Sequence, residues 1–180
     1  MKRLNKILVP TDLLEDSRRA LSYACWLAAD EHADVIVLHV ANDMTAWEFY
    51  SEDLSFLELN SKPWPIDRVL AEASLDLTRF LESHLKILKK APTFSKRVVL
   101  GPVAEQIALV ARQENTDLIV MSPRRHRGLR HFLNGGITDR VTRLSPCPVL
   151  SITEPLPSRP WRGKLNPLVF GWPRQAVADV

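Results

Sequence analysis

Between Asp117 and Ile152 the chain reads DLIVMSPRRHRGLRHFLNGGITDRVTRLSPCPVLSI: an apolar run, a basic loop, a Gly-Gly pair and the start of an amphipathic stretch. Where a strand opens into the amino end of a helix, unpaired N–H groups and the helix dipole converge, and anions bind there. Arg124, Arg125, Arg127, Arg130, Arg140 and Arg143 fall within residues 124–143 of this segment, where only Asp139 opposes them. Such a cluster is solvated surface charge by default. Its planar, forked guanidinium groups also suit capture of a phosphate, which makes Arg124, Arg125 and Arg127 candidate anion contacts. Nucleic-acid binding has the weakest support, because no helix-turn-helix, zinc spacing or RNA-binding aromatic motif accompanies the charge. Gly135-Gly136 either lets backbone approach a phosphate or supplies a positive-φ turn and nothing else. Ile137 and Thr138 follow at the helix start, Thr138 adding a hydroxyl.

Other polar residues are read against the rule that open parallel sheets bind ligands beyond the carboxyl ends of their strands. The first strand delivers Pro10-Thr11-Asp12 to that end, the second Val40, and the fourth Met121-Ser122 and the arginine loop. Asp12 suits hydrogen bonds to a sugar hydroxyl or a base amino group, and equally suits a helix cap or turn anchor. His39 in a buried strand and His84 on an apolar helix face point to hydrogen-bonded structural roles. His126 and His131 lie in the basic loop, where neighbouring cations disfavour the protonated form. No nucleophile elbow with histidine and acid, no paired carboxylates and no metal-ligand spacing is present, so catalysis and a metal centre are not expected. Cys25 and Cys147 read as buried, inert thiols.

The elements that position these residues follow from hydrophobic periodicity. Lys6 to Val9, Asp34 to Val40, Asp117 to Met121 and Pro148 to Ile152 are short continuous apolar runs, which suit strands covered on both faces. Phe94 to Leu100 is a weaker strand, with Lys96-Arg97 marking an edge. Leu21, Ala24, Cys25 and Ala28 define one face of a helix over Glu15 to Glu31. Leu70, Ala73, Leu77, Leu81, His84 and Leu88 form a stripe in a long helix that starts after Pro63-Trp64-Pro65 and stops at Pro92. Val103, Ile107, Val110 and Ala111 form another after Gly101-Pro102, and Gly136 to Leu144 is a last helix. Strands alternating with helices predict an α/β fold, an open five-stranded parallel sheet with helices on both faces. Its first strand–helix–strand unit must be right-handed.

At 180 residues and a net charge of +3 the chain reads as one domain, residues 1–152, with appendages. Residues 43–62 form an aromatic-rich insertion carrying Trp47, Phe49, Tyr50 and Phe56, too apolar for a solvated loop. Residues 153–180 form a proline-rich tail in which regular structure is not expected. It is either disordered or an arm whose aromatics dock on the body or on a second subunit. No apolar run approaches the ~18 residues a membrane span needs, and Ile7-Leu8-Val9 stops at Pro10, too short for a signal-peptide core. The expected compartment is the cytoplasm.

Together the blocks ILVPTDLLEDSRRAL, VLHV, Gly101-Pro102, DLIVMS and DRVTRLSPCPVLSI resemble the universal stress protein family over Leu4 to Ile152, apart from the aromatic-rich segment. The resemblance implies the adenine-nucleotide alpha-hydrolase-like fold with strand order 3-2-1-4-5. It also implies a homodimer formed through the last strand and a cytoplasmic stress-response role. The family divides into members that bind ATP, a ligand that brings magnesium, and members that do not. Binders carry a Gly-x2-Gly-x9-Gly-Ser or Thr signature, and the corresponding positions here are Ser122, Arg125, Gly135 and Gly136. Two of the three glycines and the terminal hydroxyl are therefore replaced, and side chains intrude where backbone N–H groups would wrap the phosphates. Pro10, Asp12, Val40 and Met121 match nucleotide-pocket positions. The expectation is a non-catalytic homodimeric stress-response protein with weak, altered or lost ATP binding. Two alternatives are a nucleotide switch, slow hydrolysis included, that uses the arginine loop, and an interaction module working through that loop and the tail.

Overall fold

The computed structural model describes residues 3–41, 65–85, 93–123, 136–153 and 170–171. The aromatic-rich insertion, the loop carrying Arg124, Arg125, Arg127 and Gly135, and most of the tail lie outside them.

Strand β1 (Lys6–Thr11) is followed by helix α1 (Glu15–Glu31) and strand β2 (Asp34–Ala41). Helix α2 (Pro65–Leu85) precedes β3 (Phe94–Leu100), and α3 (Val103–Gln113) precedes β4 (Leu118–Met121). Helix α4 (Ile137–Leu144) leads to β5 (Val149–Ser151). Strands β1 to β5 pair in parallel, as the sequence pattern predicts, in the order 3-2-1-4-5 that the resemblance implies. One addition was not foreseen: Phe170–Gly171 in the tail forms a short strand, β6, antiparallel to β5.

The sheet is central because its strands are apolar on both sides. Ile7, Val9, Val35, Val37, Leu118, Val120 and Leu150 face one core with Leu21, Ala24 and Ala28 of α1 and Leu77, Phe80 and Leu81 of α2. Leu8, Ile36, Leu38, Val40, Ile119, Met121 and Val149 face the other, with Ile107 and Val110 of α3 and Val141 of α4. In β3, Lys96 and Arg97 are exposed, and the strand closes one edge of the sheet. Both the period-two alternation and the charge placement are those of a sheet covered on both faces with a protected edge.

Helix ends follow local rules with one substitution. Proline opens α2, where its missing N–H is not needed. The left-handed residue after α1, a place that favours glycine, is His32 at φ 59°, and its N–H bonds the Ala28 carbonyl. At the amino end of the sheet, Asp117 Oδ2 accepts from the amides of Asn5 (2.9 Å) and Lys6 (3.1 Å), tying β1 to the entrance of β4.

Candidate functional site

The order 3-2-1-4-5 reverses direction between β1 and β4, so the crevice of the sheet opens at their carboxyl ends. Proline sharpens that opening. Along β1 the backbone groups alternate sides: Asn5 O accepts from Asp34 at the β2 side and Lys6 O from Asp117 at the β4 side. Even-numbered residues therefore face β4, and Pro10 is among them. The β1–β2 pairing runs to Thr11↔His39, whereas the β1–β4 pairing stops at Leu8↔Ile119. The next rung, Val9 against Val120, would need an amide from Pro10, which proline lacks. The ladder between the two central strands ends before that rung.

The described candidates stand at the carboxyl ends of these strands. Pro10, Val40 and Met121 are buried, Val40 and Met121 in the core on the α3–α4 side. Thr11 and Ser122 take the opposite parity, toward α1. Thr11 Oγ1 accepts from the Leu13 amide at 3.0 Å. Asp12 Oδ1 accepts from the Leu14 amide at 3.1 Å and from the Ser17 hydroxyl, while Ser17 Oγ accepts from the Asp12 amide at 3.2 Å. These bonds hold Leu13 in the left-handed region at φ 63°, a strained conformation for leucine. Of the two readings of Asp12, the turn anchor is thus realised in the hydrogen bonds of the structure.

Ser122 stands where β4 ends. Its Oγ is buried and has no hydrogen-bond partner among the described residues. An unpaired buried hydroxyl costs about 1–3 kcal/mol, so this position is primed for a partner. Gly136 caps α4 at φ −59°, ψ 172°, and a Cβ built on it would meet no atom within 4 Å. This corrects the positive-φ reading for Gly136: any residue adopts that backbone, and glycine there only keeps space open. Ile137 and Thr138 begin α4, Ile137 being exposed. Arg140 of that helix pairs with Glu105 of α3, and Arg143 with Asp139 at 2.7 Å, so two of the six arginines serve the helix layer. Arg124, Arg125, Arg127 and Gly135 lie outside the described residues.

His39 and Ser17 belong to this site and were not picked out for it by sequence. His39 is half-buried beside Thr11, and its Nδ1 lies 3.0 Å from the Thr11 carbonyl oxygen. A carbonyl only accepts, so Nδ1 carries the proton and the ring is held in one tautomer. Strand register was the available signal, since odd positions in β2 share the face of Thr11. Elsewhere, Cys25 and Cys147 are buried and form no disulfide with each other, and burial pushes the Cys25 thiol up to about 12. No group of three or more His, Cys, Asp or Glu that could hold a metal is found among the described residues. Among them, too, no helix is long and apolar enough to cross a membrane.

A model of the universal stress protein family matches residues 3–152. The chain belongs to the universal stress protein family. Universal stress protein YxiE of Bacillus subtilis is 27% identical over 149 residues, covering 82% of this chain and 98% of the relative. Universal stress protein MJ0577 of Methanocaldococcus jannaschii is 27% identical over 154 residues, covering 82% and 93%. The solved MJ0577 structure superposes with a TM-score of 0.62 at 24% identity over 85% of this chain and 98% of that one. A universal stress protein solved in complex with cAMP superposes with a TM-score of 0.55 at 21% identity, over 84% and 98%. These likenesses give this universal stress protein its fold. They leave its ligand to the chemistry of the crevice.

Proposed function

We propose that this universal stress protein is a non-catalytic regulatory protein, homodimeric through its last parallel strand. In it the base-and-ribose half of a nucleotide pocket persists and the triphosphate cradle does not. The observation that carries this is the end of the β1–β4 ladder before Pro10, beyond which the buried Val40 and Met121 stand on one face of the sheet and Ser122 on the other. Apolar walls suit a flat base, and the unpaired Ser122 hydroxyl suits a sugar or a single phosphate oxygen. The family's ATP signature asks for glycine where Ser122 and Arg125 stand. A backbone nest that wraps several phosphates needs consecutive N–H groups free of side chains. Magnesium would arrive with a triphosphate.

The test is titration calorimetry on protein freed of copurified ligand, with adenosine, AMP, cAMP and ATP in turn, the last with and without magnesium. The expected result is that ATP binds within about tenfold of AMP, a difference of ~1.4 kcal/mol, and that magnesium changes little. ATP binding about a hundredfold tighter than AMP would mean that the cradle works after all. If that tight binding also weakened with salt and vanished in Arg125→Ala, the arginine loop would be the anion site and the protein a charge-gripped switch. Turnover of ATP would end the non-catalytic reading.

A further inference from the structure

The two edges of the sheet are protected by different means. On β3, Lys96 and Arg97 are exposed, Lys96 Nζ donating to Thr78 Oγ1 at 2.8 Å and Arg97 pairing with Glu114 at 2.6 Å. Charged side chains along an edge resist pairing with another chain. The last parallel strand has no such device: Pro148, Val149, Leu150, Ser151 and Ile152 carry no charge, and Val149 and Leu150 are buried. Its outer backbone is instead paired with the tail, Val149↔Gly171 and Leu150↔Phe170. In a tail punctuated by proline, this pairing falls within Leu168-Val169-Phe170-Gly171-Trp172, a proline-free run with strong β-formers.

The direction of β6 matters. Two copies of the chain related by a two-fold axis and joined along this edge would pair β5 with β5 antiparallel. Strand β6 is antiparallel to β5, so it occupies the backbone groups a second copy would use. One edge cannot serve both. We infer that the tail is a removable cover that gates self-association: Phe170–Gly171 holds the edge within one chain, and a second copy takes it only when the tail lifts. The tether makes the cover effective, since a segment in the same chain competes at an effective concentration on the order of millimolar. Its brevity, two residues, makes it displaceable. The inference rests on the dimer reading proposed above.

The full-length chain tests it by sedimentation velocity over a concentration series, comparing wild type with the double variant F170P/G171P. Proline at both positions removes the donor whichever of the two rungs is the hydrogen-bonded one. The expected result is that the variant dimerises at least about tenfold more tightly than wild type, and that adding Ser151→Lys returns it to monomer. If wild type and variant dimerise equally and Ser151→Lys breaks both dimers, the last strand is the interface but the tail does not gate it. If no form associates, the dimer reading fails and the gate with it. Should the variant aggregate, hydrogen exchange on wild type decides. The amide of whichever of Phe170 and Gly171 donates to β5 is expected to be protected in dilute solution and to lose that protection as the protein dimerises, whereas exchange of both amides at the unstructured rate throughout overturns the proposal.

Discussion

Asp12 anchors its turn through Oδ1, which takes both the Ser17 hydroxyl and the Leu14 amide, and with Thr11 Oγ1 on the Leu13 amide this holds Leu13 left-handed. Removing the carboxylate frees an amide at the start of α1 and releases the strain lock. Asp12→Ala is therefore expected to lower stability by about 1–2 kcal/mol, seen as a lower urea midpoint with an unchanged slope. Asp12→Asn retains an acceptor oxygen and should lose less than half of that. An unchanged midpoint in Asp12→Ala, with nucleotide binding abolished, would assign the side chain to ligand alone. Residue types at the strand ends were legible in the sequence, because the topology of a parallel sheet says where Pro10, Asp12, Val40 and Met121 must go. Their partners were not. Ser17 is five residues on, across a strand-to-helix turn, and His39 meets Thr11 only through the register between β1 and β2.

The elements themselves were read closely where periodicity is long and punctuation strong. Helix α1 spans Glu15–Glu31 and β3 spans Phe94–Leu100, both at the boundaries expected from sequence. Strand β1 runs two residues past the apolar run, because a proline in a central strand costs only its rung toward β4 and leaves the β2 side intact. The α1–α2 interface carries a polar contact that the stripe of α2 conceals. His84 is buried, its Nε2 lies 2.9 Å from Ser22 Oγ of α1, and its Nδ1 has no partner among the described residues. Burial holds this imidazole below the ordinary histidine value, Arg18 of α1 adds to the effect, and Glu15 of α1 opposes it. The folded protein thus prefers the neutral ring. The stability it contributes is full above the unfolded histidine value near 6.5 and is lost as pH falls below it toward the lower folded value. Urea midpoints of wild type and His84→Gln, measured between pH 8 and about pH 5, should converge as the pH falls. Midpoints that stay parallel across the range would mean that His84 titrates alike in both states.

At the scale of the molecule, the parallel sheet was legible because strands buried on both faces read as unbroken apolar runs that alternate with helical stripes, whereas the strand order came only from the resemblance to the universal stress protein family. The sixth strand was not legible, since the proline density that argues against regular structure in the tail says nothing about a two-residue strand inside the five-residue run between Pro167 and Pro173. The same layering predicts how the protein opens. Leu8 and Val9 of β1, Val35 and Val37 of β2 and Ile119 and Val120 of β4 are fully enclosed or nearly so, with helices on both sides. In β3 no residue is fully buried, and one of its sides has no neighbouring strand. Protection against hydrogen exchange scales with the buried apolar contacts that must break for an amide to open. Amides of β1, β2 and β4 should therefore exchange only through global unfolding, while those of β3 exchange through a smaller opening that involves the α2 layer against which it packs. Native-state exchange across a denaturant series distinguishes the two: the β3 isotherms should start lower with a shallower slope and merge with the global line later, and the central strands should lie on that line throughout. Exchange of β4 before β3 would show that the ladder's end before Pro10, rather than the exposed edge, is the weak seam of the sheet.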